Sequence, residues 1–389
     1  MTQRSKGLTR AKEIYRDRSR RVKELKTEGK KIIGYLCLYP PLEMMTALGL
    51  VPYRIFGDMR ESITAADRGL PVSFCPFARS CLDLGMKGKY DFLDGMVMAH
   101  ACDPVEKTAH VWELFIKHPY FYFMDVPAAT RKRDVGVFKG ELETLRETLE
   151  SFVGEKLSSE ELKKSIKIHN EQRVLVRKLY ELRRPDPPLI SGTETLQTIK
   201  AVMSIPVEEG NGLLREVITE VKQRRDGPQK KAARLLIWGS VIDDVSLIEM
   251  IERAGANVVI DDTCVGTRAY WTDVELTEDP LDGLAYHYLA EIKCPRTFVE
   301  AAHGEVRKDH MADLESRFSY LKDCAEGWNV NAVILQSVKY CEDHGFEVPE
   351  LKYYLDSLGL PNTYLEHDYA EGSLAPLRTR VEAFLEVIG

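Results

Sequence analysis

The sequence predicts an α/β protein: two blocks of mostly parallel sheet joined by a helical middle segment. Three observations point there. Short apolar runs alternate with helical patterns early in the chain and again late in it. Between these blocks, from Glu141, apolar residues recur at helical spacing. A length of 389 residues also exceeds one core of usual size, so two or three domains are expected. The divisions fall at 1–30 (an N-terminal helix), 31–140 (first α/β domain), 141–231 (helical segment and linker) and 232–389 (second α/β domain).

Taken in order, Thr9 to Lys30 reads as one charged docking or surface helix, with Ile14, Val22 and Leu25 too sparse for a broad apolar face. Lys31 to Tyr39 is the first core strand, stopped by Pro40-Pro41. Leu42 to Leu48 opens as a helix with Glu43 near its positive end, and Val51 to Gly57 returns as a strand. Asp94 to Met98 and Tyr120 to Met124 are further strands, with a helix over 106–117 between them. Ser158 and Glu161 form a capping box that opens a long middle helix, ended by Pro185-Asp-Pro-Pro188. Two more helices lie at 193–204 and 213–225, and Asp226 to Lys231 reads as a linker. The second block has strands at 234–238, 331–336 and 362–368 and a further one within 257–268 that runs into a polar loop, with helices at 245–254, 314–328 and 377–387. The stretch 286–308 fits no element.

Composition narrows the function. A net charge of −7 with no basic run among aromatics argues against a nucleic-acid partner. The first thirty residues are polar, and no apolar run reaches the length of a membrane span, so a cytoplasmic protein is expected. Eight cysteines without an export signal read as thiols or metal ligands, not as a disulfide framework. No Walker A sequence, dinucleotide fingerprint or H-E-x-x-H motif is present.

The cysteines carry the chemistry that remains. Cys75 and Cys81 flank a short turn containing Pro76. Cys102 follows a buried strand, as do Cys264 and Cys341, and Cys37 lies at the end of the first. In an open α/β sheet the carboxyl ends of the strands form the ligand-binding edge. If the two blocks face each other across that edge, these loops meet in one cleft. Soft thiolates without histidines select an iron–sulfur cluster or zinc. Each is otherwise a small buried apolar residue. Arg79 and Arg268 are the cations placed for an anionic substrate, or else ordinary ion pairs.

The ordered motifs resemble a known family. They are Gly34-Tyr-x-Cys-x-Tyr-x-Pro-x-Glu43, Ala47-Leu-Gly-Leu-Val-Pro52, Cys75-Pro-Phe-Ala-Arg-Ser-Cys81, Ala101-Cys-Asp103, Asp261-Asp-Thr-Cys-Val-Gly-Thr-Arg-Ala-Tyr-Trp271, Cys341 ahead of Phe346-Glu-Val-Pro349, and Leu365-Glu-x-Asp368. Together they resemble the 2-hydroxyacyl-CoA dehydratase and benzoyl-CoA reductase family over essentially the whole chain. The resemblance implies two facing Rossmann-like domains with a [4Fe–4S] cluster held by three cysteines in the cleft. Carried over, the ligands are Cys75, Cys102 and Cys341, with Cys81 a rival for the first and Cys37 and Cys264 beside them. The Phe77 to Gly85 version of the loop is similar to the smaller cluster-binding subunit of ATP-dependent benzoyl-CoA reductase. That implies a larger homologous cluster-binding subunit, ATP-hydrolysing iron–sulfur activator subunits, a ferredoxin donor and an aromatic acyl-CoA substrate reduced by single electrons. Glu43, His100 and Glu366 are candidate proton donors by position, and Arg79 and Arg268 candidate CoA contacts. The alternative is a 2-hydroxyacyl-CoA dehydratase subunit working through a ketyl radical. A double-cubane relative fits less well, because Val51 to Gly57 holds no extra cysteine pair.

Overall fold

A computed structural model describes residues 6–297 and 309–389. Part of the unassigned stretch 286–308 lies outside the described residues. The chain opens with two helices, α1 (Gly7–Arg16) and α2 (Ser19–Thr27). The single helix expected over 9–30 breaks at Asp17-Arg18 because Arg18 turns inward. Its guanidinium donates to Ser204 Oγ at 2.7 Å and to the Arg54 carbonyl, over the rings of Tyr53 and Phe56. Of the two roles read for this stretch, docking is the one seen: Gly7, Ala11 and Ile14 are buried, and a Cβ on Gly7 would lie 2.8 Å from the Val217 backbone.

The first block runs β1 (Ile32–Leu36), α3 (Leu42–Ala47), β2 (Val51–Arg54), α4 (Pro76–Met86), β3 (Gly95–Ala99), α5 (Asp103–Phe115) and β4 (Tyr120–Met124). Pro76 opens α4 where the sequence predicts a turn; proline at the first helical position loses no bond the helix could have made. The middle contains α6 (Lys132–Val153), α7 (Ser159–Glu181), α8 (Gly192–Val202) and α9 (Val207–Gln223). Ser158 and Glu161 cap α7 reciprocally, as their spacing predicts. The second block runs β5 (Ala233–Gly239), α10 (Ser246–Arg253), β6 (Ala256–Asp262), α11 (Pro280–Tyr286), α12 (His310–Gly327), β7 (Ala332–Val338), α13 (Glu342–Ser357), β8 (Asn362–His367) and α14 (Leu374–Ile388).

Each block forms one four-stranded, all-parallel sheet, in the orders β2-β1-β3-β4 and β6-β5-β7-β8. The strand order is therefore the same in both halves, and the fold is the two-domain Rossmann-like α/β arrangement. β1, β3, β5 and β7 are buried along their whole length, as central parallel strands covered on both faces should be. Alternate residues of β1 face different clusters: Ile32 and Leu36 join one apolar core and Ile33 another. The larger core is continuous through both sheets and α7 to α9, so the halves share an interior. In each sheet the order reverses between the two central strands. The crevice past their carboxyl ends is where ligands bind in such folds. Among the described residues no helix is long and apolar enough to cross a membrane.

Candidate metal centre

Cys75, Cys102 and Cys341 each occupy the N-cap of a helix: α4, α5 and α13 respectively. Cys102 and Cys341 follow the central strands β3 and β7, at the two strand-order reversals. A helix start offers backbone N–H groups with no partner inside the helix, and the positive end of its dipole. Here those groups meet sulfur: Phe77 and Ala78 N–H at Cys75, Val105 N–H at Cys102, His344 N–H at Cys341. The same amides cradle anions at other helix starts.

Burial opposes them. It pushes all three thiols above the ordinary range, and the sulfurs then raise one another. Cys102 is raised by burial, then by Cys75, Asp343 and Cys341; Cys341 is raised by burial, then by Cys75. These mutual effects put the three sulfurs in one neighbourhood. A bound cation would reverse the balance by displacing the thiol protons.

The donor set fits a cluster better than a single ion. Tetrahedral zinc with bonds of about 2.3 Å needs sulfurs about 3.8 Å apart. Among the described residues, the one trio of possible ligand atoms all within 4.8 Å of one another is His100, Asp103 and Glu106, with no thiol in it. Three thiols spaced more widely, without histidine ligands, suit the separate irons of a [4Fe–4S] group.

A buried polar chain backs Cys341. Its sulfur lies 3.3 Å from His344 Nδ1, and His344 Nε2 lies 2.8 Å from the Arg268 guanidinium. Burial first, then Arg268, holds His344 neutral far below its usual range. Its Nε2 then accepts from Arg268, which leaves the Nδ1 proton to face sulfur. Arg268 also pairs with Asp262 at 2.9 Å and approaches Cys264 Sγ at 3.8 Å. Its side chain, read from the sequence as a candidate contact for a substrate anion, is 0 % exposed. Arg79 is likewise turned inward, onto Asp67 and the Val72 carbonyl.

The expected proton donors separate. Glu43 is 0 % exposed, 2.5 Å from Arg173 and 2.8 Å from the Tyr288 hydroxyl. Burial raises its pKa, but Arg173 and His169 outweigh it and hold the carboxyl at about 2. With both oxygens engaged by Arg173 and Tyr288, this carboxylate braces the elements it joins. His100 is half-buried just before Cys102, with Nδ1 3.1 Å from Asp125 and Nε2 3.7 Å from Glu106. Glu366 is exposed near the end of β8.

Cys81 lies fully buried within α4. Cys37 sits past β1 with φ of 73°, a left-handed conformation uncommon outside glycine. It neighbours Cys264 and Cys294, which together with burial push its thiol up to about 12. Sequence reasoning misses Cys294, His344 and Asp343. The Cys341-x-x-His344 spacing is a usable signal, since it sets thiol and imidazole on one helical turn. Asp343 adjoins Cys102, and burial, resisted by Arg296 and reinforced by Glu342 and Asp103, pushes it up to about 6. Cys294 lies in the stretch without a pattern and has no signal.

A family profile described as "2-hydroxyglutaryl-CoA dehydratase, D-component" matches residues 37–388. The chain belongs to this family. A benzoyl-CoA reductase subunit from Thauera aromatica is 29% identical over 371 residues, 92% of this chain and 91% of that one. The (R)-phenyllactyl-CoA dehydratase beta subunit of Clostridium sporogenes is 25% identical over 94% of each chain. The beta subunit of (R)-2-hydroxyglutaryl-CoA dehydratase from Acidaminococcus fermentans is 21% identical over 93% of each. Across the 2-hydroxyglutaryl-CoA dehydratase D-component family, these relatives carry both reductase and dehydratase names, and each is a subunit.

Proposed function

We propose that the chain is the iron–sulfur subunit of an ATP-dependent aromatic acyl-CoA reductase of the benzoyl-CoA type. The observation that carries the cluster assignment is the set of three N-cap thiols, two of them at the strand-order reversals. Likeness to a benzoyl-CoA reductase subunit over nine-tenths of both chains supports the reductase assignment. Cys75, Cys102 and Cys341 would hold the cluster; Cys81, inside α4, is the less suitable first ligand. When bound, a [4Fe–4S] cluster supplies one-electron transfer at low potential.

The chain's own residues would do the rest. The helix-start amides neutralise charge on the thiolates, and His344 donates to the Cys341 sulfur. The enclosing apolar residues exclude water that would otherwise consume low-potential electrons. His100, half-open and held between Asp125 and Glu106, would handle protons at the rim. Two electrons and two protons added to the aromatic thioester give a cyclic diene thioester. The reading calls for a larger homologous cluster-binding subunit, ATP-hydrolysing iron–sulfur activator subunits and a ferredoxin as electron source. The divisions at 31–140 and 232–389 are retained as the two lobes.

Anaerobic expression followed by iron and sulfide analysis tests the assignment. About four of each per chain are expected, kept in Cys81→Ser and lost in Cys102→Ser. Fresh protein with no iron would overturn it. A second reading, a 2-hydroxyacyl-CoA dehydratase subunit, is favoured by the two dehydratase relatives of equal coverage. ATP consumed in step with product supports the reductase; catalytic ATP with a redox-neutral product supports the dehydratase.

A further inference from the structure

We infer that the interior junction of the two halves and the helical middle is a binding site for one small monovalent anion, of the size of chloride or formate. The site is a cavity lined by Tyr35, Arg54, His169, Gln172, Arg173 and Tyr270, among others. No cysteine lines it, and it does not depend on the proposed reaction.

Arg54 and Arg173 are 2 % and 4 % exposed. Arg173 is balanced by Glu43, whose second oxygen already accepts from Tyr288. Arg54 has no carboxylate partner among the described residues. It donates to the Cys37 carbonyl, bonds the Tyr35 hydroxyl, and stacks 5.4 Å from the Tyr35 ring and 5.7 Å from that of Phe56. None of these carries a formal negative charge. His169 and His287, which line the same cavity, are lowered by burial, His169 to about 4, and so add no charge. Two further carboxylates lie nearby, but Glu291 is taken up by His287 at 3.0 Å and Asp273 by Arg177 at 2.8 Å, which leaves Arg54 a buried cation without a carboxylate in ion-pair reach among the described residues. That arrangement is costly unless something compensates it.

The donors agree with the charge. Nε of Arg54, Nε of Arg173 and the amide nitrogen of Gln172 are all buried without a hydrogen-bond acceptor. Buried N–H groups are seldom left so. The cavity measures about 40 Å³, where a single water needs about 10–15 Å³ on the same measure. A chloride or a formate fits; an acyl chain does not. Water could satisfy the donors but could not balance the charge.

Thermal melts of the full chain test this, in sodium chloride against sodium gluconate at equal ionic strength. Chloride and formate should raise the melting temperature saturably, as expected for a ligand of the folded state, and gluconate should not. In Arg54→Met the anion effect should vanish. If Arg54→Met does not fold, chlorine-35 line broadening on the unaltered protein decides: saturable broadening displaced by formate but not by gluconate supports the site. Equal melting of the parent in chloride and gluconate, an anion effect that persists in Arg54→Met, or broadening that does not saturate would each overturn it and leave a water-filled cavity.

Discussion

Replacing Glu43 by glutamine separates a bracing role from a proton-donating one. The carboxylate joins α3 to α7 through Arg173 and to the segment after α11 through Tyr288. The Ser165 hydroxyl also donates to its main-chain carbonyl at 2.8 Å. Folding lowers its pKa from 4.5 to about 2. At 1.36 kcal/mol per unit this is about 3 kcal/mol of stability. Breaking a buried ion pair from one side costs about 3–5 kcal/mol, so two independent routes agree. The folded pKa lies below the unfolded one. The contribution is therefore complete above pH 4.5 and is lost as pH falls toward 2. Guanidinium melts at neutral pH should show Glu43→Gln destabilised by about 3 kcal/mol. As pH is lowered toward 2 the gap to the parent should narrow. Arg173→Met added to Glu43→Gln should recover part of the loss, because it removes the stranded cation. If Glu43→Gln melts within about 0.5 kcal/mol of the parent while turnover collapses, the bracing argument fails and the donor role returns.

Three further outcomes follow from the geometry. His344→Leu removes an N–H from the Cys341 sulfur. In cluster-loaded protein it should make the midpoint potential more negative in a spectroscopic redox titration, with iron content retained. Ser158→Ala should cost about 1 kcal/mol in chemical denaturation, the usual value of a lost helix cap, and leave iron content unchanged. Gly239→Ala should fail to give folded protein, or lose about 3 kcal/mol or more, because its Cβ would lie 1.9 Å from the Gln336 carbonyl oxygen.

The strands are legible because they are short apolar runs bounded by proline, glycine or charge. Tyr120 to Met124 and Asn362 onward fall where the pattern puts them. The capping box at Ser158 is legible for the same local reason. The helices that carry two of the thiols are not. Pro76 reads as a turn, although it sits at the one helical position that tolerates proline. Helix α13 holds Gly345 and Pro349, and its apolar residues form no clear stripe. The sheet edges tell correctly that Cys102 and Cys341 follow strands. Nothing local shows that Arg268 is spent on Asp262 and His344, or that Glu43 finds Arg173 in a distant helix. Those partners are set by tertiary packing, which a one-dimensional pattern does not record.

The N-cap placement has a mechanical consequence. Two of the capping thiols lead helices of the first lobe and the third leads a helix of the second. More than half of the chain lies between Cys102 and Cys341. A ligand gripped by all three would be a tie between the lobes added to their shared interior, and stripping it would leave that interior alone to hold them. Limited proteolysis and hydrogen exchange should then loosen first along the seam between the lobes, with each sheet's centre the last to open.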